Sequence, residues 1–435
     1  MNFLASVYGL YNTYRKSFNK KKYIELIDSR KCNSRSDWKK IQEIELQKIL
    51  KSAKENVPFY IDYWNKSSLD WKNLENWPIM NKDTIRGNEL NFIDVRFKRN
   101  KLIKMYTSGS SGRPMCYYFT KEAFSYWYSV YDVRIKSFYG IDIETDSYAT
   151  FGGRILFKSN KMKPPFWIWN NYNKQLYCSS YHLNQKNIIH YLREFKKRDI
   201  KYIVSYVSSL HAIALYILKK KPRINLKIKL IVTNAEPLYD YQRNDIENAF
   251  NCKVIETYSG CELAFGGNQM FGNKITLWPE VGIMQILTAN GEITDYGKGE
   301  FLITGLLNQA MPLIKYRIGD FGELDKSSLN GFQFLKNIEG RVDDVLISDT
   351  GNLVGRMDPV FKDSFDIKEA QIVQLSERLV KVNIVKGERF SKTNELELTK
   401  NIKDRLGDSM DVNFIYLDSI PRGANGKFKG VISKI

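Results

Sequence analysis

At 435 residues and 50.9 kDa, with an apolar fraction of 43%, the chain is too long for one compact core and apolar enough to fill two or three. Its 67 Lys and Arg residues outnumber its 48 Asp and Glu residues and give a net charge of +19. This charge favours anionic partners such as nucleotides, anionic lipids or acidic sugars. The basic residues form no concentrated stripe, so nucleic acid is disfavoured as a partner.

Cysteine and histidine usage excludes several kinds of site. The five cysteines are widely spaced and include no C-x-x-C pair, so neither a disulfide framework nor a zinc site is predicted. Unpaired cysteines fit a reducing cytoplasm. The chain contains three histidines, so a histidine-based metal site and a Ser-His-Asp triad are both disfavoured.

The N-terminal segment is predicted to form an amphipathic helix. Apolar and aromatic side chains recur at helical spacing between Phe3 and Tyr14, and basic residues follow between Arg15 and Lys22. A signal peptide is not expected, because the segment lacks a basic n-region and a cleavage site. Such a helix packs on its own domain, which we favour, or lies on an anionic membrane. No apolar run reaches the roughly 20 residues that a membrane span needs.

Hydrophobic periodicity predicts an α/β arrangement further along the chain. Helices are predicted at 36–56, 123–137, 187–197 and 240–250, and strands at 202–205, 226–233 and 253–256. The strand, helix and strand between 226 and 256 form a βαβ unit. Short strands and glycine turns at 282–325 predict a β-rich subdomain. Strands near 345, 371, 380–385 and 412–416, with a helix at 395–406, predict an α+β module of about ninety residues.

A loop rich in serine and glycine occupies residues 106–114, before a strand-like run at 115–119. Gly109 and Gly112 allow backbone conformations that direct successive N–H groups inward, and such a nest binds phosphate. A flexible hairpin loop explains the stretch equally well. The loop is not of the Walker type, because no Gly-Lys-Ser/Thr ends it.

Five further stretches place polar residues at the ends of predicted elements. They are Thr233-Asn-Ala-Glu-Pro237, Tyr258-Ser-Gly-Cys-Glu262, Tyr316-Arg-Ile-Gly-Asp320, Gly340-Arg-Val-Asp-Asp344 and Pro421-Arg-Gly-Ala-Asn-Gly-Lys427. The first two follow predicted parallel strands, where ligands dock. The third is expected to close the β-rich region. Taken singly, each stretch is also explained by a helix start, a strand, a turn or a frayed terminus.

In this order, the six stretches resemble the adenylate-forming superfamily of acyl-CoA synthetases, nonribosomal-peptide adenylation domains and luciferases. Their resemblance is closer to the phenylacetate–CoA ligase branch, which includes CapK-type capsule-biosynthesis proteins. Val57-Pro-Phe-Tyr60 and Trp77-Pro-Ile-Met-Asn-Lys82 resemble the first part of that branch, so the likeness extends from about Trp38 to Lys429. It implies a large multi-sheet α/β N-terminal domain, residues 1–342, with βαβ units and a β-rich subdomain. A small mobile α+β C-terminal lid, residues 343–435, follows.

The resemblance also implies a role for each motif. The ATP phosphates would be bound by Thr107, Ser108, Gly109, Ser110, Ser111 and Gly112. The adenine and ribose would be bound by Ala235, Glu236, Pro237, Tyr258, Asp320 and Arg341. Glu262 would hold Mg²⁺ and Asp343 would be the hinge. Lys427, the catalytic residue together with Glu262, would reach the α-phosphate and the substrate carboxylate.

Three positions depart from the usual pattern of the branch. Asn234 replaces a common Gly, a change expected to narrow the acyl pocket, Cys261 replaces Ser or Thr, and Ile318 replaces Thr. None of these changes removes a charged group, so an active enzyme is expected.

The implied function is ATP-dependent activation of a carboxylate as an acyl-adenylate, followed by acyl transfer. The resemblance to CapK-type proteins implies capsule or O-antigen polysaccharide biosynthesis, with an amino sugar or lipid-linked glycan as acceptor. A ligase for an aromatic or other acid, with CoA as acceptor, is an alternative; a non-catalytic nucleotide-binding scaffold is another. ATP and Mg²⁺ are the expected cofactors. The expected location is the cytoplasm, at the inner membrane face if the N-terminal helix contacts lipid.

Overall fold

The computed structural model of the protein describes most of the chain. The described residues are 7, 10–11, 18–30, 33–106, 115–152, 156–157, 163–329, 331–341, 346–349, 353–354, 357, 360, 367–422 and 428–435. Within them the fold class is α/β, as predicted.

The described helices and strands are numbered here in chain order. The helices are α1 (Lys20–Ser29), α2 (Arg35–Asn56), α3 (Pro58–Asn65), α4 (Lys82–Ile85), α5 (Lys121–Tyr131), α6 (Ile188–Lys197), α7 (Val207–Lys220), α8 (Asp240–Phe250) and α9 (Lys392–Leu406). The strands are β1 (Ile103–Tyr106), β2 (Cys116–Phe119), β3 (Tyr148–Gly152), β4 (Trp167–Asn170), β5 (Gln175–Ser179), β6 (Tyr202–Ser205), β7 (Leu230–Thr233), β8 (Lys253–Ser259), β9 (Gly266–Gln269), β10 (Ile275–Leu277), β11 (Gly282–Leu287), β12 (Ile293–Thr294), β13 (Gly297–Gly305), β14 (Tyr316–Leu329), β15 (Phe332–Arg341), β16 (Leu346–Ile347), β17 (Leu353–Val354), β18 (Ile367–Ser376), β19 (Leu379–Lys386), β20 (Asp411–Tyr416) and β21 (Val431–Ser433).

A thirteen-stranded sheet dominates the described part of the chain, in the order β12-β11-β13-β14-β15-β10-β9-β8-β7-β6-β3-β5-β4. Strands β5, β3, β6, β7 and β8 are parallel to their neighbours in that group. All four residues of β7 are buried, as expected for a parallel strand covered on both faces. The predicted βαβ unit is confirmed as β7, α8 and β8.

The β-rich region continues the same sheet through antiparallel pairs. Two motifs therefore lie differently from the prediction. Tyr258 is inside β8, because it pairs with Gly267 of β9. The stretch from Tyr316 to Asp320 opens the long strand β14 instead of closing the region. Both positions are set by pairing with strands that are distant in the sequence. Local hydrophobic periodicity does not predict this pairing.

The C-terminal region forms a smaller four-stranded sheet, in the order β20-β19-β18-β21. Helix α9 buries Leu398, Ile402 and Leu406 in a hydrophobic cluster with the strands of this sheet. The predicted strands and helix of the module are confirmed. The domain boundary at residues 342 and 343 stays a prediction.

The described part of the N-terminal region packs on the body of the protein. Tyr23 of α1 contacts Tyr126 of α5 with ring centroids 5.0 Å apart, and Lys20 pairs with the buried Asp132 at 2.6 Å. Helix α1 therefore packs on the body, but most of the helix predicted between Phe3 and Tyr14 lies outside the described residues, and its packing stays a prediction. Val7, further upstream, is 49% exposed, and contact of that segment with a membrane stays a prediction. Across the described ranges, no helix combines the length and hydropathy required to cross a membrane.

Candidate functional site

The parallel strands β6 and β7 end side by side, next to β8. Their last residues, Ser205 and Thr233, are register partners, and Thr233 is also paired with Glu256 of β8, which continues to Ser259. Because neighbouring parallel strands present their carboxyl ends at one edge of the sheet, the residues that follow them lie side by side. The first turn of α7 follows β6, and the predicted adenine loop follows β7. This edge is therefore the candidate site.

The loop after β7 is built around a left-handed residue. Ala235 has a φ of 62°, a conformation that costs a residue with a Cβ about 1–2 kcal/mol. The next residue, Glu236, lies against the start of α7, where Oε2 accepts a hydrogen bond from Ser208 N at 2.7 Å and Oε1 accepts one from Ser208 Oγ at 3.0 Å. The first N–H groups of a helix lack partners within the helix, so this carboxylate stabilises its N-terminus.

Glu236 also contacts the C-terminal region. Its Oε1 accepts a hydrogen bond from Phe428 N at 2.8 Å, and the Arg422 guanidinium lies 4.6 Å from the Phe428 ring centroid. Burial raises the pKa of Glu236, while the hydrogen bonds from Ser208 and Phe428 and the charge of Arg422 partly oppose that rise. Phe428 directly follows Lys427, so the contact brings this end of the chain to the edge of the large sheet.

Tyr258 and Asp320 form a second pair at this site. The Tyr258 Oη donates a hydrogen bond to Asp320 Oδ2 at 2.7 Å. The Tyr258 ring packs against Phe265 and Phe301, with centroids 4.9 and 6.1 Å apart. Asp320 lies in β14 directly opposite Arg341 of β15. Residues predicted for adenine and ribose binding, from three separate stretches, are therefore neighbours.

Glu262 lies at the end of a chain of buried hydroxyl groups. Its Oε1 accepts a hydrogen bond from Tyr117 Oη at 3.0 Å, and Tyr117 Oη lies 3.0 Å from Tyr316 Oη. Burial, followed by the negative charge of Glu262, raises the pKa of both tyrosines. The Glu262 Oε2 lies 2.1 Å from the position that a Cβ would take at Gly260. Glycine at position 260 therefore leaves the room that this carboxylate occupies.

Known proteins resemble this chain over most of its length. The family profile described as the CapK C-terminal domain matches residues 346–434. Protein CapK of Staphylococcus aureus is 28% identical over 97% of this chain and 94% of its own length. Phenylacetate-coenzyme A ligase of Aromatoleum evansii is 23% identical over 92% of this chain and 95% of its own length. The resemblance to the CapK and phenylacetate–CoA ligase branch of the adenylate-forming enzymes is confirmed.

A solved structure shares the fold of this chain. The 2-hydroxyisobutyryl-CoA ligase, in its postadenylation state with 2-HIB-AMP, aligns with a TM-score of 0.71 at 17% sequence identity. The alignment covers 93% of this chain and 92% of that ligase. The large sheet and the C-terminal region are thus both part of the adenylate-forming fold.

Several residues predicted from the adenylate-forming motifs lie outside the described residues. They are Thr107, Ser108, Gly109, Ser110, Ser111, Gly112, Asp343 and Lys427. Their roles stay predictions, as does that of the Arg341 side chain. The described strands that flank the serine-glycine loop form an antiparallel hairpin in which Tyr106 pairs with Cys116. This pairing holds the two ends of the loop together and is compatible with both a phosphate nest and a flexible hairpin.

The structure adds three residues that the motifs of adenylate-forming enzymes did not indicate: Tyr117, Ser208 and Phe428. The strand-like run at 115–119 predicts a largely buried strand, as observed for Tyr117, Tyr118 and Phe119. It does not predict which hydroxyl meets a carboxylate 145 residues away. Ser208 contacts Glu236 through its hydroxyl in addition to its backbone N–H group, and Phe428 does so through its backbone N–H group. Every residue except proline carries this donor, so the side chains gave no signal.

Proposed function

We propose that the protein activates a carboxylic acid with ATP, giving an acyl-adenylate and pyrophosphate, and then transfers the acyl group to an acceptor with release of AMP. The observation that carries this proposal is that Glu236 and Glu262 follow the neighbouring parallel strands β7 and β8, and that Tyr258 of β8 is hydrogen-bonded to Asp320. The similarity to phenylacetate-coenzyme A ligases and to a ligase solved with an acyl-adenylate supports it.

In this proposal, the Tyr258–Asp320 pair binds the nucleoside. The carboxylate of Asp320 accepts hydrogen bonds from the ribose hydroxyls, because an ionised oxygen is a strong acceptor for a diol. The hydrogen bond from Tyr258 Oη, at 2.7 Å, fixes the orientation of that carboxylate. The Tyr258 ring then lies against the adenine, beside Ala235 and Glu236 of the neighbouring loop.

The reaction joins two anions, so the neutralisation of charge dominates its catalysis. A carboxylate oxygen attacks the α-phosphorus of ATP; the new P–O bond forms as the bond to pyrophosphate breaks. We assign the ammonium of Lys427 to the α-phosphate and the attacking carboxylate. The hydrogen bond from Phe428 N to Glu236 supports this assignment, because it holds the residue after Lys427 at the site.

Glu262 is the residue that we assign to Mg²⁺. The space that Gly260 leaves for Oε2 suits a carboxylate held for a ligand, and Mg²⁺ prefers one or two carboxylates together with phosphate oxygens and water. When bound, the cation would neutralise charge on the phosphates. Glu262 is therefore chemically suited to hold Mg²⁺.

Two acceptors are consistent with the relatives. The alignment with CapK over 97% of the chain, combined with the role that this resemblance implies, supports transfer to an amino sugar or lipid-linked glycan during surface polysaccharide assembly. The phenylacetate-coenzyme A ligases and the 2-hydroxyisobutyryl-CoA ligase support transfer to CoA.

Acid-dependent exchange of labelled pyrophosphate into ATP tests the first step. A panel of aromatic, hydroxy and amino-sugar-derived acids should contain at least one that drives exchange, and Lys427→Ala should lower the rate of that exchange about 10²–10³-fold. Binding of ATP without exchange for any acid would instead favour the non-catalytic scaffold.

The acceptor is tested with the acid that the exchange assay identifies. Accumulation of a thioester with CoA, and no product with amino sugars, would make the protein a CoA ligase. An amide with an amino sugar, and no thioester, would support the CapK-like role.

A further inference from the structure

Tyr117 connects three stretches of the candidate site. It lies in β2, immediately after the serine-glycine loop, and is 1% exposed. Its hydroxyl lies 3.0 Å from Glu262 Oε1 and 3.0 Å from Tyr316 Oη. Glu262 ends one predicted motif and Tyr316 begins another. A side chain outside all the motifs therefore joins two of them.

The direction of the hydrogen bonds follows from the number of protons available. Tyr117 has one hydroxyl proton, and a carboxylate can only accept, so that proton is directed to Glu262. Tyr316 then donates to the oxygen of Tyr117. A phenol has an ordinary pKa of about 10, so both tyrosines keep their protons at neutral pH. The order of donation is Tyr316 to Tyr117 to Glu262.

This order makes the two oxygens of Glu262 different. Oε1 is held by Tyr117 at 3.0 Å, whereas Oε2 occupies the space that the missing Cβ of Gly260 leaves. Leu263, directly after Glu262, adopts a left-handed φ of 48°. Strained backbone of this kind persists where the surrounding structure over-determines it.

We propose that Tyr117 is a positioning residue that orients Glu262, so that Oε2 is the oxygen presented to the divalent cation of the bound nucleotide. The inference rests on the proposed function. It assigns to a strand residue outside the motifs a role in cation affinity, and it predicts that Tyr316 contributes in the same direction through Tyr117.

Cation affinity is the measurement that tests this role. Mn²⁺ binding to the full-length protein is titrated by electron paramagnetic resonance with ATP present and no acid added, so that no reaction takes place. Tyr117→Phe should weaken Mn²⁺ binding about 10-fold, the usual consequence of removing a group that holds a metal ligand. Tyr316→Phe, which leaves Tyr117 in place, should weaken binding by a smaller factor.

Tyr118→Phe is the matched control. Tyr118 is the next residue of β2 and is also buried, but its hydroxyl accepts a hydrogen bond from Arg99 at 3.1 Å and lies on the other face of the strand. Its Mn²⁺ affinity should equal that of the wild type. If Tyr117→Phe does not fold, the Tyr316→Phe titration carries the test alone.

Exchange kinetics distinguish this inference from the proposed function. Excess Mg²⁺ should restore pyrophosphate exchange by Tyr117→Phe, because a positioning defect lowers affinity and leaves the chemical step intact. Wild-type protein without exchange for any acid would overturn the proposed function. Wild-type exchange combined with unchanged Mn²⁺ affinity in both tyrosine variants would overturn the role of Tyr117 alone.

Discussion

The two carboxylates of the candidate site are held in different ways. Glu262 is buried and hydrogen-bonded to the buried Tyr117 of β2, which in turn contacts the buried Tyr316 of β14. Glu236 is half-buried, and one of its three hydrogen bonds comes from the C-terminal region, at Phe428 N. One contact lies within the body of the protein, and the other joins the body to a separately packed sheet.

This difference suits the two-step reaction that we propose. A cation ligand must keep its geometry before the substrate arrives, and burial among fixed partners provides that geometry. A lysine that assists only the first step must be able to withdraw, and the hydrogen bond from Phe428 N to the Glu236 carboxylate, at about 1.5–3 kcal/mol, is weak enough to break and re-form. The body should therefore govern binding of the nucleotide and cation, and the C-terminal contact should govern the rate of adenylation.

Replacing Lys427 should give the largest effect. Lys427→Ala should lower the rate of pyrophosphate exchange about 10²–10³-fold, as loss of a group that stabilises transition-state charge does. ATP affinity, measured by calorimetry, should stay near the wild-type value. Lys429→Ala is the control, since it removes the same charge two residues away. A large loss of ATP affinity in Lys427→Ala would show that the C-terminal region governs ATP binding, which would contradict the assignment of ATP binding to the body of the protein.

Asp320→Asn should weaken ATP binding about 10-fold, because a charge-assisted hydrogen bond contributes about 1.5–3 kcal/mol and the amide retains part of it. The expected change is a higher KM for ATP with a smaller change in kcat. Asp325→Asn is a control in the same strand, where the carboxylate pairs with Lys274 at the surface. An unchanged KM for ATP would remove Asp320 from the nucleotide site.

Glu236→Ala should release the C-terminal contact. The amide of Phe428 loses its acceptor, so the peptide that contains residues 428–435 should exchange hydrogen for deuterium faster. Loss of the cap on α7 should also lower the free energy of unfolding by about 1 kcal/mol. Ser208→Ala removes the hydroxyl and keeps the carboxylate, so it should leave exchange at Phe428 unchanged. Equal exchange in wild type and Glu236→Ala would mean that other contacts hold this segment.

The smallest expected effect is a pH dependence of stability. Burial raises the pKa of Glu236 in the folded protein above its ordinary value, so the folded state binds this proton more tightly than the unfolded state does. The contribution of Glu236 to stability should therefore fall as the pH rises from about 4 through the raised pKa. Over this pH interval, the Tm of the wild type should therefore fall relative to the Tm of Glu236→Gln. A constant difference would show that Glu236 titrates normally.

The bounds of helices and strands were predictable where they depend only on residues close together in the sequence. The bounds predicted for β6 and α8 match the structure, because hydrophobic periodicity and helix length are local properties. The full lengths of β8 and β14 were not predictable. Strand β8 is extended by pairing with β9, and β14 is extended by pairing with β15. The lengths of these pairings depend on the register between separate strands.

The amino-acid sequence alone determined the order of the motifs and therefore the resemblance to adenylate-forming enzymes. The reason is that the chemistry of adenylate formation requires particular residue types, which are visible in the sequence. Which atoms meet was decided by the tertiary structure. Tyr117 reaches Glu262, and the amide of Phe428 reaches Glu236, only because folding brings together strands and loops far apart in the chain. Hydrogen bonds depend on positions in space within a few tenths of an ångström, and a linear pattern of residues does not specify such positions.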